Sequence, residues 1–161
     1  MATATKLFEM VTNDDMEGLE ILSNSGKTID WNMKLRGCSL IYRAIEVRAQ
    51  RTFDFLLNLP NLKILQSDDC GLSKAIEYYV KAPNVRNMYY VDRLMEKNAK
   101  VSSFVVTRAQ HDNALFEYMF EKMDKSYESI RSILTNLISS NNMNLVQFIY
   151  NYLDNNQQDY Y

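Results

Sequence analysis

His111, the only histidine of the chain, stands beside Asp112 in AQHDNA. An imidazole next to a carboxylate could act as a general base or a metal ligand. Catalysis of that kind needs a further partner in hydrogen-bond reach, and the sequence offers neither a second histidine nor a serine or cysteine motif of known geometry. The plainer reading is an exposed residue in the turn joining two helices. Cys38 and Cys70 are the only thiols. With one histidine they fall short of the roughly four ligands of a structural zinc. A disulfide requires their Cα atoms to approach within about 7 Å, and without a secretory leader two reduced thiols, one exposed and one partly buried, are expected. Asp14-Asp15 and Asp68-Asp69 are acidic pairs that would need other carboxylates nearby to hold a metal; helix capping accounts for them at less cost. No Gly-rich phosphate loop, CxxC or HExxH is found. The expectation is a protein without catalytic residues, cofactor or metal.

The tyrosines are less easily set aside. Tyr78-Tyr79, Tyr89-Tyr90 and Tyr118 fall in helical segments of the middle of the chain. Neighbours on a helix point about 100° apart, so one member of each pair is expected at the surface. An exposed tyrosine, with its broad ring and polar tip, is a favoured anchor in protein interfaces.

Composition narrows the classes further. The 161 residues suit one domain or one short repeat array. They are 47% hydrophobic and 24% charged, with a net charge of -2, which fits a globular protein and opposes nucleic-acid binding as the main task. No apolar run nears the roughly 20 residues that span a bilayer. MATATKLFEM lacks a basic head followed by an apolar stretch, so no secretory signal is predicted and an intracellular, mainly cytoplasmic setting is expected, with the nucleus left open. Only four glycines and two prolines interrupt the chain, which points to an all-α fold with short connections.

The elements that must position these residues are pairs of helices. Apolar residues at helical spacing mark Leu7–Val11 and Met16–Leu22, then Leu40–Val47 and Phe53–Leu57, then Leu72–Val80 and Tyr89–Met95. They continue with Phe104–Ala109 and Leu115–Met123, then Ile130–Ile138 and Leu145–Leu153. Each helix is read as two or three turns, too short to persist alone, so the pairs must stack. The register follows a marker residue. Ala44, three places after Ile41, is matched by Ala75 after Leu72 and Ala109 after Val106, and more loosely by Met10 and Leu137. Arg43, Lys74 and Arg108 precede the three alanines. Twelve places after the marker, Leu22, Leu56 and Ile149 are apolar. Asn87 and Glu121 break the rule; Phe120 stands one place early and Leu94 seven late, a slip assigned to a long connection in KAPNVRNMYYV. The layers expected are 4–36, 37–69, 70–102, 103–128 and 129–153, one domain over 1–153, with a polar tail at 154–161.

The unit IDWNMKLRGCSLIYRAIEVRAQRTFDFLLNLPN resembles an ankyrin repeat. Gly37 matches the turn glycine, Ser39 stands for Thr, Leu40 for Pro, Ile41 for Leu, Tyr42 for His and Ala44 for Ala; Leu56-Leu57 matches the Leu-Leu pair. No unit keeps Thr-Pro-Leu-His intact, although the Ser39 hydroxyl can still close the turn. The Asn- and Tyr-rich flavour is similar to degenerate ankyrin arrays of large DNA viruses of amoebae. The resemblance implies an ankyrin-like solenoid of about five helix-turn-helix units that binds a protein partner, viral on host in that setting, through its concave face and turn tips. Carried onto this chain, the contact positions are Leu35, Arg36, Cys38 and Glu46 in the second unit, Ser67, Asp69, Glu77 and Tyr78 in the third, and His111 in the fourth. The alternative is a structural, virion-type protein that forms a homodimer through an open end of the array, where Phe8, Met10 and Leu19 or Phe148, Ile149 and Leu153 lie.

Overall fold

The computed structural model describes residues 3–63 and 69–156. Among them are ten helices and one two-stranded sheet, so the chain is essentially all-α. It divides into two compact units, Met1–Lys100 and Val101–Tyr161. The sequence reading takes 1–153 as one repeat domain; the division falls near its expected fourth layer.

The first unit starts with α1 (Ala4–Thr12) and α2 (Met16–Ser23), followed by β1 (Lys34–Leu35) and β2 (Cys38–Ser39). Next come α3 (Leu40–Glu46), α4 (Gln50–Leu57), α5 (Asp69–Lys81) and α6 (Val85–Glu96). Helix starts are written in side chains. Thr3, Asp15, Ser39 and Asn84 each accept from a backbone N–H three residues on, satisfying amides that the helix leaves orphaned. The ends of α1 and α3 share a device. The Met10 and Ala44 carbonyls each accept from the N–H five residues later, at 2.9 Å, across a left-handed residue, Asp14 or Arg48. This is a Schellman ending made without glycine. Met10 and Ala44 thus hold the same place at the ends of their helices, 34 residues apart; Leu94 ends α6 in the same way, across left-handed Asn98, whereas Ala75 lies inside α5.

Within this unit α1 packs on α3 and α3 on α5, each against its own second helix, and α2 packs on α4. The small side chains of Ala44 and Ala75 are fully buried, with Leu7, Val11, Ile45 and Leu72 around the same seams. Polar side chains stitch one layer to the next. The Asp14 carboxylate accepts from the buried Thr52 backbone N–H at 3.0 Å and hydroxyl at 2.6 Å. Arg43 Nε donates to Thr12 Oγ1 at 3.0 Å. Asn32 donates to the Asn61 carbonyl and accepts from the Lys63 N–H. The Tyr89 hydroxyl donates to the Asp54 carboxylate at 2.6 Å.

The second unit holds α7 (Ser103–Arg108), α8 (Asn113–Lys122), α9 (Tyr127–Ser139) and α10 (Met143–Asn156). Helix α7 pairs with α8, α9 with α10, and α7 packs on α9. Ser102, Asp112 and Ser126 cap α7, α8 and α9. Ala109 is fully buried, and Phe116, Phe120, Phe148 and Tyr152 form an aromatic cluster with centroids 5.2–6.2 Å apart. The Leu137 carbonyl accepts from the Asn142 N–H at 2.8 Å across left-handed Asn141, repeating the ending of α1 and α3. Asn142 also donates to the Gln110 carbonyl, and Ser140 to its side chain.

Several expectations change. The KAPNVRNMYYV connection is short: α5 runs through Lys81 and α6 starts at Val85, because Asn84 caps a new helix directly after Pro83. Asn87, at the place expected to be apolar, is buried with 4% exposure. Its side-chain amide donates to the Tyr78 and Ala82 carbonyls at 3.2 and 2.8 Å, so a polar residue fills the core by capping the end of α5. Helices α5, α6, α9 and α10 have 13, 12, 13 and 14 residues, longer than two or three turns, because their inner faces carry apolar residues along more of their length. Helix α10 continues through Asn156, beyond the expected start of the tail. Leu19 and Ile149 are fully buried and Phe8 nearly so; of the residues proposed for a homodimer contact, Met10, Phe148 and Leu153 are half-buried.

Candidate partner-binding face

The face begins at the β1–β2 hairpin. Leu35 pairs with Cys38 and Lys34 with Ser39, leaving Arg36-Gly37 as a two-residue turn. Both take positive φ, 53° and 79°, the pattern of a type I′ turn that suits the twist of paired strands. Glycine meets this at Gly37 without strain, while Arg36 holds the left-handed conformation with its side chain exposed. Ser39 ends β2 and also caps α3, its hydroxyl accepting from the Tyr42 N–H at 3.0 Å. The hairpin is thereby fused to α3 and its tip is fixed. Leu35 and Cys38 are half-buried. Cys38 is a free thiol whose sulfur lies 3.9 Å from the Arg36 carbonyl.

Helices α3 and α5 carry the face onward. Tyr42 and Glu46 lie one turn apart on α3, and Lys74, Glu77, Tyr78 and Lys81 follow at helical spacing on α5. The Lys74 ammonium sits 5.0 Å from the Tyr78 ring centre and 5.8 Å from that of Tyr42. Arg48 covers the Tyr78 ring at 5.3 Å. The Tyr78 hydroxyl donates to the Glu46 carbonyl at 2.9 Å. Glu77 pairs with Lys74 at 3.7 Å and Lys81 at 2.6 Å, and Arg43 pairs with Glu46. Tyr42, Glu46, Lys74, Glu77 and Tyr78 are all half-buried. The result is a ridge of alternating charge and aromatic rings whose side chains are already held in place.

Electrostatics follow the packing. Burial alone would lower the Lys74 pKa, but Tyr78, Glu77, Tyr42 and Glu46 together outweigh it and hold the ammonium above the ordinary lysine value. Burial, opposed by Lys74 and reinforced by Glu46, raises the Tyr42 phenol. Lys74 is therefore a fixed cation between two ring faces.

Four of the positions implied by the resemblance thus form the hairpin and the end of α3: Leu35, Arg36, Cys38 and Glu46. Glu77 and Tyr78 join them from α5. Asp69 opens α5, but its side chain, like Ser67, Asp68 and the Cys70 side chain, lies outside the described residues. His111 belongs to the second unit, where it is exposed and borders an open polar cleft with Gln110, Ser140 and Asn142. Its neighbour Asp112 accepts from the Leu115 N–H at 2.9 Å as the cap of α8. Of the tyrosines, Tyr90 is buried, Tyr89 is tied to Asp54, and Tyr118 is exposed at 38%. The sequence reading missed Tyr42, Arg48 and Lys74 as members of the face. The signal was present: Arg43 and Lys74 precede successive markers 31 residues apart.

Among the described residues no group of three or more His, Cys, Asp or Glu could hold a metal ion, and no helix is long and apolar enough to cross a membrane. No known family model, curated protein or solved structure matches the chain.

Proposed function

We propose that this chain is a protein-binding module of ankyrin-like build, and that it recognises a protein partner through the β1–β2 tip and the α3–α5 ridge without catalysing a reaction. One observation supports the reading above others. The side-chain hydrogen bonds between layers join residues 29 to 39 positions apart, from Asn32–Asn61 to Asn58–Lys97 in the first unit, with Gln110–Ser140 at 30 in the second. Such a recurrence is what stacked units of about 33 residues produce. A stack of this kind leaves the turn tips and one side of each first helix outside the core. On that row the side chains are preorganised by one another, so binding immobilises little that was mobile. Half-buried tyrosines beside anchored charges supply apolar contact and directional bonds together. In the ankyrin-like viral setting that the composition suggests, the partner is a host protein.

The test compares affinity capture from the native host cell by the wild-type chain and by an Arg36→Ala, Glu77→Ala double variant. Both side chains lie outside the core, so the melting temperature stays within about 2–4 °C. The expected result is one or more proteins, identified by mass spectrometry, that are retained by the wild type and lost with the variant. Identical captures from both baits, or a variant that no longer folds, would count against the assignment.

A further inference from the structure

The outer side of α9 carries a second surface of different chemistry. Tyr127, Ile130, Leu134 and Ile138 recur at helical spacing and, with Leu153 of α10, line an apolar groove of about 540 Å³. Tyr127 is 75% and Ile138 55% exposed, a high toll for side chains of this size unless something covers them. Two cations border the groove, Lys125 and Arg131, and no carboxylate lines it among the described residues; Glu128 stands one turn before Arg131 and lines the adjoining polar cleft with Arg131, Thr135 and Ser139. Lys125 is fixed, its ammonium donating to the Glu121 carbonyl at 3.0 Å and lying 5.4 Å from the Phe120 ring centre. Arg131 is exposed and makes no ion pair among the described residues.

We infer that this groove docks a short amphipathic helix of another protein, one whose apolar stripe is flanked by Asp or Glu. The stripe from Tyr127 to Ile138 runs roughly 16 Å along α9, room for about three turns of a guest helix. Two border cations, with no carboxylate among the described lining residues, select acidic flanks and oppose basic ones. A second copy of this chain is a poorer occupant. One helix face of this length falls short of the roughly 800 Å² per partner that a stable dimer buries, and the same cations would meet themselves across a twofold axis.

The test uses the full chain as bait for a displayed library of random peptides of about 16 residues, some four helical turns. Enriched peptides are expected to show apolar residues at i, i+4 and i+7 with Asp or Glu beside them. The leading peptide, fluorescently labelled, is then titrated by anisotropy. Ile138→Glu and Arg131→Glu, both exposed positions that leave the helical circular dichroism unchanged, each weaken it by at least about tenfold. Exchanging the peptide's acids for lysines restores binding to Arg131→Glu. Enrichment of basic or patternless peptides, no enrichment, or affinity indifferent to both substitutions would overturn the inference. So would a dimer in light scattering that Ile138→Glu dissociates, since the occupant is then a second copy.

Discussion

Thr52→Val removes one hydroxyl and nothing else of consequence from a fully buried site. In the native chain the Thr52 hydroxyl and N–H both bond to one oxygen of Asp14, at 2.6 and 3.0 Å, across two layers of the first unit. A hydrogen bond to a carboxylate contributes about 1.5–3 kcal/mol. Valine recovers about 0.8 kcal/mol from its extra apolar surface, leaving a net loss of roughly 1–2 kcal/mol. The backbone N–H bond survives. Trp31, the only tryptophan, is 8% exposed and packs edge-on against Phe55 at 5.9 Å. Its emission therefore reports the Met1–Lys100 unit alone. In urea the midpoint should fall by about 0.5–1 M at unchanged slope. Asp14→Asn keeps a residue that tolerates positive φ while removing the charge. Combined with Thr52→Val, it should give less than the sum of the single losses, with a coupling of about 1 kcal/mol. An unmoved midpoint, or strict additivity, would show that Asp14 does not bind the layers together.

Asn87→Ala removes a buried amide that donates to the Tyr78 and Ala82 carbonyls and should cost about 1–2 kcal/mol, read from the same Trp31 transition. Asn87→Leu, which restores the apolar pattern of the repeat, should also destabilise; a gain would mean that the Ala82 N–H and the Asn84 amide, which already donate to the Tyr78 and Ala82 carbonyls, satisfy them without Asn87. Burial first, then the hydrogen bond to Asp54, raises the Tyr89 phenol above its ordinary 10.0, and burial acts in the same direction on Tyr90. The folded state thus holds these protons more tightly than the unfolded chain. Their contribution is complete below about pH 10 and is lost as the pH climbs through the elevated folded values. Urea midpoints should fall above about pH 10, and Tyr89→Phe should flatten that fall; equal slopes would argue against the Tyr89–Asp54 bond.

Much of the local structure is legible in the residues themselves. Alternation of apolar places marks the paired helices, because a helix of this size must bury one stripe. Ser39, Asp15 and Asp112 cap helices because a short oxygen-bearing side chain reaches an orphaned N–H. Arg36-Gly37 makes a tight turn because glycine bears a positive φ freely. The marker residues Met10, Ala44 and Leu137 end their helices alike, but Ala75 lies inside α5 and Leu94, no marker, shares the ending. Packing decided the rest. Nothing in the pattern tells that Asn87 is a core residue, since its burial is tolerable only once the end of α5 brings two carbonyls within reach. Asp14 reads as a cap for the next helix, but its left-handed backbone turns the carboxylate to Thr52, 38 residues away. Lys74 reads as one more surface charge until α3 sets a second tyrosine beside it. The stripe on α9 reads as core, and only the arrangement of its neighbours leaves it open. Periodicity reports how much of a helix must be covered; which neighbour covers it, and which polar group finds a partner, depends on contacts between segments some thirty residues apart.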